Sequence, residues 1–326
     1  MPLPLSVLDF ASVRSGKTVG EAFQESVELA QAAERLGYER VWYTEHHNMS
    51  SIASAAPAVL IAHIAAQTES IRLGSGGVML PNHAPLIIAE QFGTLAELHP
   101  GRIDLGLGRA PGTDQAAVRA MRRDPRAAEE FPQDVKELQA FLRDESVVPG
   151  LRAVPGAGTN VPLYILGSSM FGATLAAAYG LPYSFASHFA PEALEQATQA
   201  YRAQFQPSEV LDEPYVIAAV NVVGRENPDD AAQELEWYRR SRVRQMAGRG
   251  RELSEEELDL VMHSPAGQQI LNMIRYTAVG DGAQVKQYVE DFAARASADE
   301  IMVAPVGSTS EGAIDSLRVL REAWGR

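Results

Sequence analysis

The sequence contains no cysteine. Disulfide bridges, thiolate nucleophiles and cysteine-bound zinc or iron–sulfur sites are therefore excluded. It also has no uninterrupted apolar run long enough to cross a bilayer, and no basic, apolar leader opens the chain. We therefore expect a cytoplasmic protein that does not act in a membrane.

Positive charge is scarce, because 28 Lys and Arg residues stand against 42 Asp and Glu residues, giving a net charge of -14. A surface with this balance repels polyanions, so we expect neither nucleic acid nor an anionic membrane as a partner. The length of 326 residues fits either two domains or one α/β barrel. A small molecule is the partner that these numbers leave open.

Predicted strands and helices alternate along the chain. Leu5 to Phe10 reads as a buried strand, and Thr18 with Glu21 forms a capping-box pattern that predicts the start of a helix. The seven strands that follow are predicted at 38–44, 71–78, 102–108, 163–166, 181–187, 215–223 and 300–304. Eight strands that alternate with helices predict a single (β/α)8 TIM barrel over residues 1–326.

One long stretch interrupts this alternation after the seventh strand and its helix. Residues 241–276 are strongly charged and precede a helix predicted at 281–296. A long insertion in a compact domain is often a lid over an active site. We therefore predict that 241–276 is an extended lid insertion.

Acidic and imidazole side chains follow the second strand directly, as Glu45, His46 and His47. The carboxyl ends of the strands meet at one face of a barrel, where active sites are built. Successive residues of a strand face opposite ways, so one histidine could point into the barrel mouth while the other supports it. Two alternatives stay open, a histidine pair bonded to backbone and a metal site, although a matching set of metal ligands is not evident.

Other strand ends carry groups that suit a flat, phosphorylated ligand. Gly76 and Gly77 lie in a glycine-rich third strand, where bare backbone suits either a flat ligand or a tight bend. Arg109 follows the fourth strand and is a fixed cation suited to phosphate. Ser168 and Ser169 follow the fifth strand at a predicted helix start, which is a common anion site.

Three motifs in this order resemble the luciferase-like flavin monooxygenase family, which includes the bacterial luciferase α subunit. They are Trp42–His47, Leu73–Pro81 and Gly101–Asp114. The Gly-Arg-Ala-Pro-Gly-Thr run within the third motif is most similar to the uncharacterised luciferase-like oxidoreductases. The resemblance implies a (β/α)8 barrel, usually a homodimer, that binds FMN or a deazaflavin with its ring at the barrel mouth.

The resemblance also implies roles for individual residues. His46 matches the catalytic histidine and His47 its neighbour in the pocket, while Gly76-Gly77 matches a cis peptide under the flavin ring. The residues similar to the phosphate-binding groups are Arg109, Ser168, Ser169, Met170 and Phe171, the last two through backbone amides. The luciferase carries an acidic residue at the position of Gly167 and a cysteine at that of Gly108, so light emission is not expected.

The mechanism predicted on this basis is that of a monooxygenase. Reduced FMN, supplied by a separate flavin reductase, forms a C4a peroxide with oxygen, and this peroxide attacks an apolar, aldehyde-like carbonyl. Phe10, Leu107 and the insertion exclude water, and His46 transfers the proton.

Three rival interpretations stay open. They are a dehydrogenase or reductase that uses the deazaflavin F420, a non-catalytic flavin-binding protein, and a metal-dependent hydrolase. The last would need metal ligands that the sequence does not assemble, so we predict no metal. The non-catalytic protein would have no use for His46.

Overall fold

The computed structural model describes residues 3–124, 126–145, 148–248, 251 and 253–325. Its strands are Leu5–Asp9 (β1), Arg40–Tyr43 (β2), Arg72–Met79 (β3), Ile103–Gly108 (β4), Leu163–Gly167 (β5), Tyr183–Phe185 (β6), Val216–Gly224 (β7), Thr277–Gly280 (β8) and Glu300–Pro305 (β9). Its helices are Val19–Leu36 (α1), Pro57–Ala65 (α2), Pro85–Leu98 (α3), Gln115–Ala120 (α4), Ala127–Arg143 (α5), Met170–Tyr179 (α6), Leu194–Gln204 (α7), Pro228–Gly248 (α8), Glu255–His263 (α9), Pro265–Met273 (α10), Gly282–Ala296 (α11) and Ser310–Trp324 (α12).

Eight of these strands close a parallel barrel in the order β1-β2-β3-β4-β5-β6-β7-β9, with β9 paired back to β1. The prediction of a (β/α)8 barrel is therefore confirmed. The strand predicted at 300–304 is the eighth of the barrel but the ninth in the chain. Strand β8 was not predicted; it pairs with the second half of β7, where Asn221 lies opposite Thr277. It lies in the short gap between the insertion predicted at 241–276 and the helix predicted at 281–296.

Local signals set the helix ends where the sequence predicts them. The Thr18 hydroxyl accepts from the Glu21 amide at 3.2 Å, and the Glu21 carboxylate accepts from the Thr18 amide at 2.8 Å. This reciprocal pair satisfies two amides that the first turn of α1 would leave free. Gly37 ends α1 in the left-handed region, with φ of 75°.

The predicted insertion is largely helical. Residues 241–248 continue α8 beyond the predicted end of that helix at Arg240, and α9 and α10 follow. Val243, Leu258 and Met262 form a small apolar cluster of their own with Leu253. Residues 249, 250 and 252 of the predicted insertion lie outside the described residues. No helix in the described ranges is both long and apolar enough to cross a bilayer.

Two apolar layers lie on the two faces of the sheet. The barrel interior holds Leu8, Trp42, Tyr164, Ile217, Ala219 and Met302, with Phe10 packed against them. Leu107 lies instead in the larger cluster between strands and helices. Asp104 reaches the interior residue Trp42, and strand alternation therefore turns Leu107 outward. The prediction that Leu107 keeps the site dry is wrong.

A buried ionic network closes the amino-terminal end of the barrel. The Arg40 guanidinium donates to Glu300 at 3.0 and 3.2 Å, to Asp104 at 2.8 Å and to the Tyr164 hydroxyl at 2.9 Å. The Tyr215 hydroxyl donates to Glu300 at 2.8 Å. These side chains stand at the starts of their strands, far along each strand from the predicted site.

Candidate functional site

The two histidines that follow β2 diverge, as strand alternation predicts. The His46 ring lies 6.2 Å from the Phe10 ring, on the side of the barrel interior. Its Nδ1 is 3.1 Å from the Thr44 hydroxyl, which is itself 2.8 Å from the Ser54 hydroxyl. No hydrogen bond to Nε2 of His46 occurs among the described residues, so this nitrogen is available to a ligand.

Burial lowers the pKa of the His46 imidazole below its usual value, an effect that the nearby charges of His47 and Arg242 reinforce and the Glu45 carboxylate opposes. The imidazole is therefore mainly neutral at pH 7. A neutral ring can accept a proton at Nε2 or donate one, according to its tautomer.

His47 is held by a buried carboxylate. The Glu45 side chain is fully buried and lies 2.9 Å from Nε2 of both His47 and His83, and it accepts from the Met79 amide at 3.0 Å. Burial raises the pKa of Glu45, but the bonds from the two histidines and Met79 outweigh it and hold the pKa at about 2. The bond to Glu45 raises the pKa of His47 in turn. His47 therefore supports the loop that follows β2, while His46 lies on the side of the barrel interior.

The glycine-rich strand β3 runs beside these residues. The Gly76–Gly77 peptide bond is cis, as the family resemblance implies. A Cβ on Gly76 would stand 2.8 Å from Leu8 and 3.0 Å from Trp42, and one on Gly77 would stand 2.7 Å from the Gly106 carbonyl oxygen. Close packing against the barrel interior and β4 therefore already requires both glycines. This requirement exists whether or not a ligand lies on their other side.

Arg109 and the start of α6 come together at the ends of β4 and β5. Gly108 pairs with Leu166 between these strands, and the Arg109 guanidinium lies 3.9 Å from the centre of the Phe171 ring. Ser169 occupies the N-cap position of α6, as predicted, but its side chain makes no capping hydrogen bond. The first amides of α6, including those of Met170 and Phe171, are therefore open to an anion beside a fixed cation.

His188 is a site residue to which the sequence assigned no role. It follows β6, and its ring lies 5.8 Å from Phe10, the same side chain that contacts His46. Its Nδ1 is buried and has no partner among the described residues. Burial, reinforced by Arg242 and His46, lowers the pKa of His188 to about 3, so the ring is neutral. The feature of the sequence that could indicate such a role is the position of His188 directly after a strand, which it shares with His46.

These groups fit a phosphorylated flavin. An uncapped helix start beside Arg109 offers donors for a phosphate, and His188 offers a buried nitrogen that has no partner in the described part of the chain. Residues that would hold the phosphate are Arg109, Ser168, Ser169, Met170 and Phe171. No group of three or more side chains suited to a metal ion occurs among the described residues.

A cavity of about 650 Å³ lies at the other end of the barrel, lined in part by Arg40, Tyr164 and Tyr215. The polar groups of these three side chains are already bonded to Glu300, Asp104 or each other. Because unpaired donors and acceptors mark a ligand site better than volume alone, we place the site at the carboxyl end.

Residues 3–300 match the family model described as luciferase-like monooxygenase. The chain belongs to this family. This luciferase-like chain is 44% identical to a luciferase-like monooxygenase of Escherichia coli (strain K12) over 304 residues, 92% of this chain and 91% of the relative. It is also 44% identical to the uncharacterized protein YvbT of Bacillus subtilis (strain 168), covering 98% and 96% of the two chains. The crystal structure of apo-MsnO8 superposes with a TM-score of 0.87 at 34% identity, covering 99% and 98%.

Two more distant structures share the luciferase-like fold and differ in cofactor. A type II Baeyer-Villiger monooxygenase from Pseudomonas putida, solved in complex with FMN, has a TM-score of 0.73 at 15% identity, covering 98% of this chain and 97% of its own. An F420-dependent secondary alcohol dehydrogenase has a TM-score of 0.71 at 17% identity, covering all of both chains. At these identities the likeness concerns the fold alone. Membership of the family supports an oxidoreductase of the monooxygenase type.

Proposed function

We propose that this chain is a flavin-dependent monooxygenase that uses reduced FMN and O2 to oxidise a small molecule with an apolar, aldehyde-like carbonyl. One observation carries the proposal: a helix start without a side-chain cap, beside an arginine, occurs at the same end of the barrel as a buried imidazole whose Nε2 has no hydrogen bond among the described residues. The bound reduced flavin would supply two electrons and activate O2, so that one oxygen atom enters the product and the other leaves as water.

The phosphate would be held by Arg109 and the start of α6. Arg109 is exposed and, among the described residues, its guanidinium has only the Phe171 ring as a partner, so its donors are available. Ser168 and Ser169 add hydroxyls, and the α6 amides add a helix N-terminus. The backbone at Gly76 and Gly77 would support the flavin ring.

The proton would be held at Nε2 of His46. Thr44 fixes the ring through Nδ1, which leaves the other nitrogen free to face the substrate. His47 would act as a positioning residue, because Glu45 and the loop after β4 fix it away from the pocket. This arrangement supports the predicted catalytic role of His46 more strongly than that of His47.

Water would be excluded by Phe10 and by the insertion. Phe10 contacts both His46 and His188, so it forms an apolar wall between the two imidazoles. A bond from Gln245 of α8 to Ser51 fastens the insertion to the loop that follows β2. The insertion would therefore act as a lid, which preserves a reactive intermediate from water.

Titration with FMN, reduced FMN and the deazaflavin F420 tests the proposal, followed by assay of oxygen-dependent product from straight-chain aldehydes. We expect product only with reduced FMN and O2 together. Binding of F420 alone, with hydride transfer in the absence of O2, would favour the dehydrogenase alternative. FMN binding without turnover of any substrate would favour the non-catalytic alternative.

Three further expectations accompany this proposal and stay predictions. They are a separate flavin reductase that supplies reduced FMN, a homodimer, and a cytoplasmic location. Sedimentation of the purified protein tests the second, and turnover with and without an added NAD(P)H:flavin reductase tests the first.

A further inference from the structure

Helix α8 is fastened on both sides of the barrel mouth. On one side the Tyr238 hydroxyl is 3.2 Å from the Asn221 side-chain oxygen, and the Asn221 amide donates to the His188 carbonyl at 2.8 Å. On the other side Gln245 donates to the Ser51 hydroxyl at 2.5 Å, in the loop that follows β2. The helix therefore spans from the His188 side of the mouth to the His46 side.

Arg242 lies between these two anchors. Residues 238, 242 and 245 are spaced by four and three, so they share one face of α8. That face is turned to the barrel, because both of its neighbours bond to residues there. The charge of Arg242 lowers the pKa of both His46 and His188, which agrees with a position between the two rings.

The Arg242 guanidinium has few partners among the described residues. Its Nε is buried with no partner among the described residues. Its Nη1 donates to the Gln245 side chain at 3.0 Å and its Nη2 to the Met246 sulfur at 3.8 Å, both on the exposed side of the guanidinium. No carboxylate of the described residues lies within ion-pair distance of it, and the two imidazoles nearby are neutral.

Two neighbouring arginines on the same helix are paired. Arg240 contacts Glu255 at 2.7 Å and Asp259 at 2.5 Å, and Arg244 contacts Glu255 at 2.6 Å. A buried donor on a charged group costs free energy unless an acceptor completes it. Of these three, Arg242 shares its face of α8 with the anchors Tyr238 and Gln245, and it has no carboxylate partner among the described residues. The missing acceptor is therefore most simply part of a ligand.

We propose that Arg242 binds a carboxylate of the substrate, so that the substrate is a small organic acid whose apolar, oxidisable part lies against Phe10. The planar guanidinium matches a carboxylate through two parallel hydrogen bonds. The proposal rests on the proposed function for the position of the reacting group. The flavin phosphate has its own cation in Arg109, on the side of β4 and β5, which leaves Arg242 to the substrate.

The test compares ligands that differ only in charge. Octanoate and octanamide are titrated into the protein with and without FMN, and binding is followed by tryptophan fluorescence and flavin absorbance. We expect octanoate to bind the wild type at least about tenfold more tightly than octanamide, as befits a charge-assisted bond. Arg242→Gln should abolish the preference, and Arg242→Lys should retain part of it.

Arg244→Gln is the matched control, since it removes the same charge from the same helix at a residue paired with Glu255. It should keep the preference for octanoate. Equal binding of the two ligands by the wild type, binding of neither, or a preference unchanged in Arg242→Gln would overturn the proposal. A loss of FMN affinity in Arg242→Gln without any effect on octanoate would also overturn it, by assigning Arg242 to the flavin.

The FMN titration separates this proposal from the proposed function. If FMN binds no variant while the octanoate preference depends on Arg242, the acid site stands and the flavin proposal fails. If FMN binds and supports turnover but the octanoate preference is absent, the flavin proposal stands and the acid site fails.

Discussion

At the amino-terminal end of the barrel the Arg40 guanidinium bonds to two carboxylates and a phenol, whereas at the carboxyl-terminal end Nε of Arg242 and Nδ1 of His188 have no partner among the described residues. Both ends of the barrel contain buried polar atoms. A closed network recovers much of the cost of burying its charges, while an open one leaves that cost to be offset by a ligand. The amino-terminal end therefore contributes stability, and the carboxyl-terminal end is suited to binding a ligand.

Glu45 shows that polarity alone does not mark function at the carboxyl end. It stands between strand β2 and the candidate catalytic histidine, yet its oxygens are bonded to His47, His83 and Met79. Its pairing resembles that of Arg40 more than that of Arg242. The carboxyl end therefore contains fully bonded residues that support the residues with open donors and acceptors.

Replacing Arg40 should disrupt the ionic network at the amino-terminal end of the barrel. Arg40→Met leaves the buried Glu300 carboxylate without its cation and removes one of the two arginines that bond to Asp104, which should lower the free energy of unfolding by about 3–5 kcal/mol. Denaturant unfolding measures the loss, and FMN affinity of the folded protein should change little. Arg152→Met, at an exposed pair with Asp144, is the control and should leave the unfolding midpoint unchanged. Lost FMN affinity at unchanged stability would contradict the division between the ends.

Replacing Glu45 should remove a dependence of stability on acid. Its folded pKa is lowered from 4.5 to about 2, so its stabilising contribution is present above pH 4.5 and is lost as the pH falls towards 2. At about 1.4 kcal/mol per unit, the contribution near neutrality reaches about 3 kcal/mol. Glu45→Gln should therefore be less stable at pH 7 and lose less on acidification.

Unfolding curves between pH 7 and pH 3 measure this effect. Glu290→Gln, at an exposed position on α11, serves as the control and should follow the wild type. If Glu45→Gln loses stability on acidification as steeply as the wild type, then the bonds to His47 and His83 do not support the site.

Replacing His46 should lower turnover and leave the structure of the carboxyl end intact. Removal of a residue that transfers a proton lowers turnover by about 100-fold or more. His46→Gln should show this loss with FMN affinity nearly unchanged, because Arg109 and α6 would still hold the phosphate. Since the pKa of His46 is lowered, wild-type turnover should persist below pH 6.5 before it falls.

His63→Gln is the matched control for this variant. His63 is exposed on α2, and its ring bonds to Gln67 just beyond the end of that helix. Turnover should be unaffected there. Wild-type turnover in His46→Gln would reduce His46 to a structural role.

Features fixed by neighbours in sequence were predictable. The capping box at Thr18 and Glu21, the helix start at Ser169 and the divergence of His46 from His47 all follow from spacing within one element. The wrong expectations depended on contacts between distant segments. Leu107 faces the helices because Asp104, three residues earlier, is drawn to the interior network, and no local pattern shows which face is inside.

The missed residues have the same origin. Arg242 looks like any other charged residue of a polar helix, because Arg240 and Arg244 flank it at similar spacing. Only the bonds of Tyr238 and Gln245 reveal which arginine faces the barrel. The approach of His188 to Phe10 likewise joins the ends of β6 and β1, which the sequence separates by more than half of the chain.

The affinities for FMN and riboflavin test whether the carboxyl end of the barrel binds a flavin by its phosphate. The two ligands share the ring and differ in the phosphate, which Arg109 and the start of α6 would hold. We expect the wild type to bind FMN at least about tenfold more tightly than riboflavin. Arg109→Gln should lose most of this difference, while Arg119→Gln on the exposed helix α4 should keep it. Equal affinity of the wild type for both ligands, or a phosphate preference that survives Arg109→Gln, would contradict binding by the phosphate.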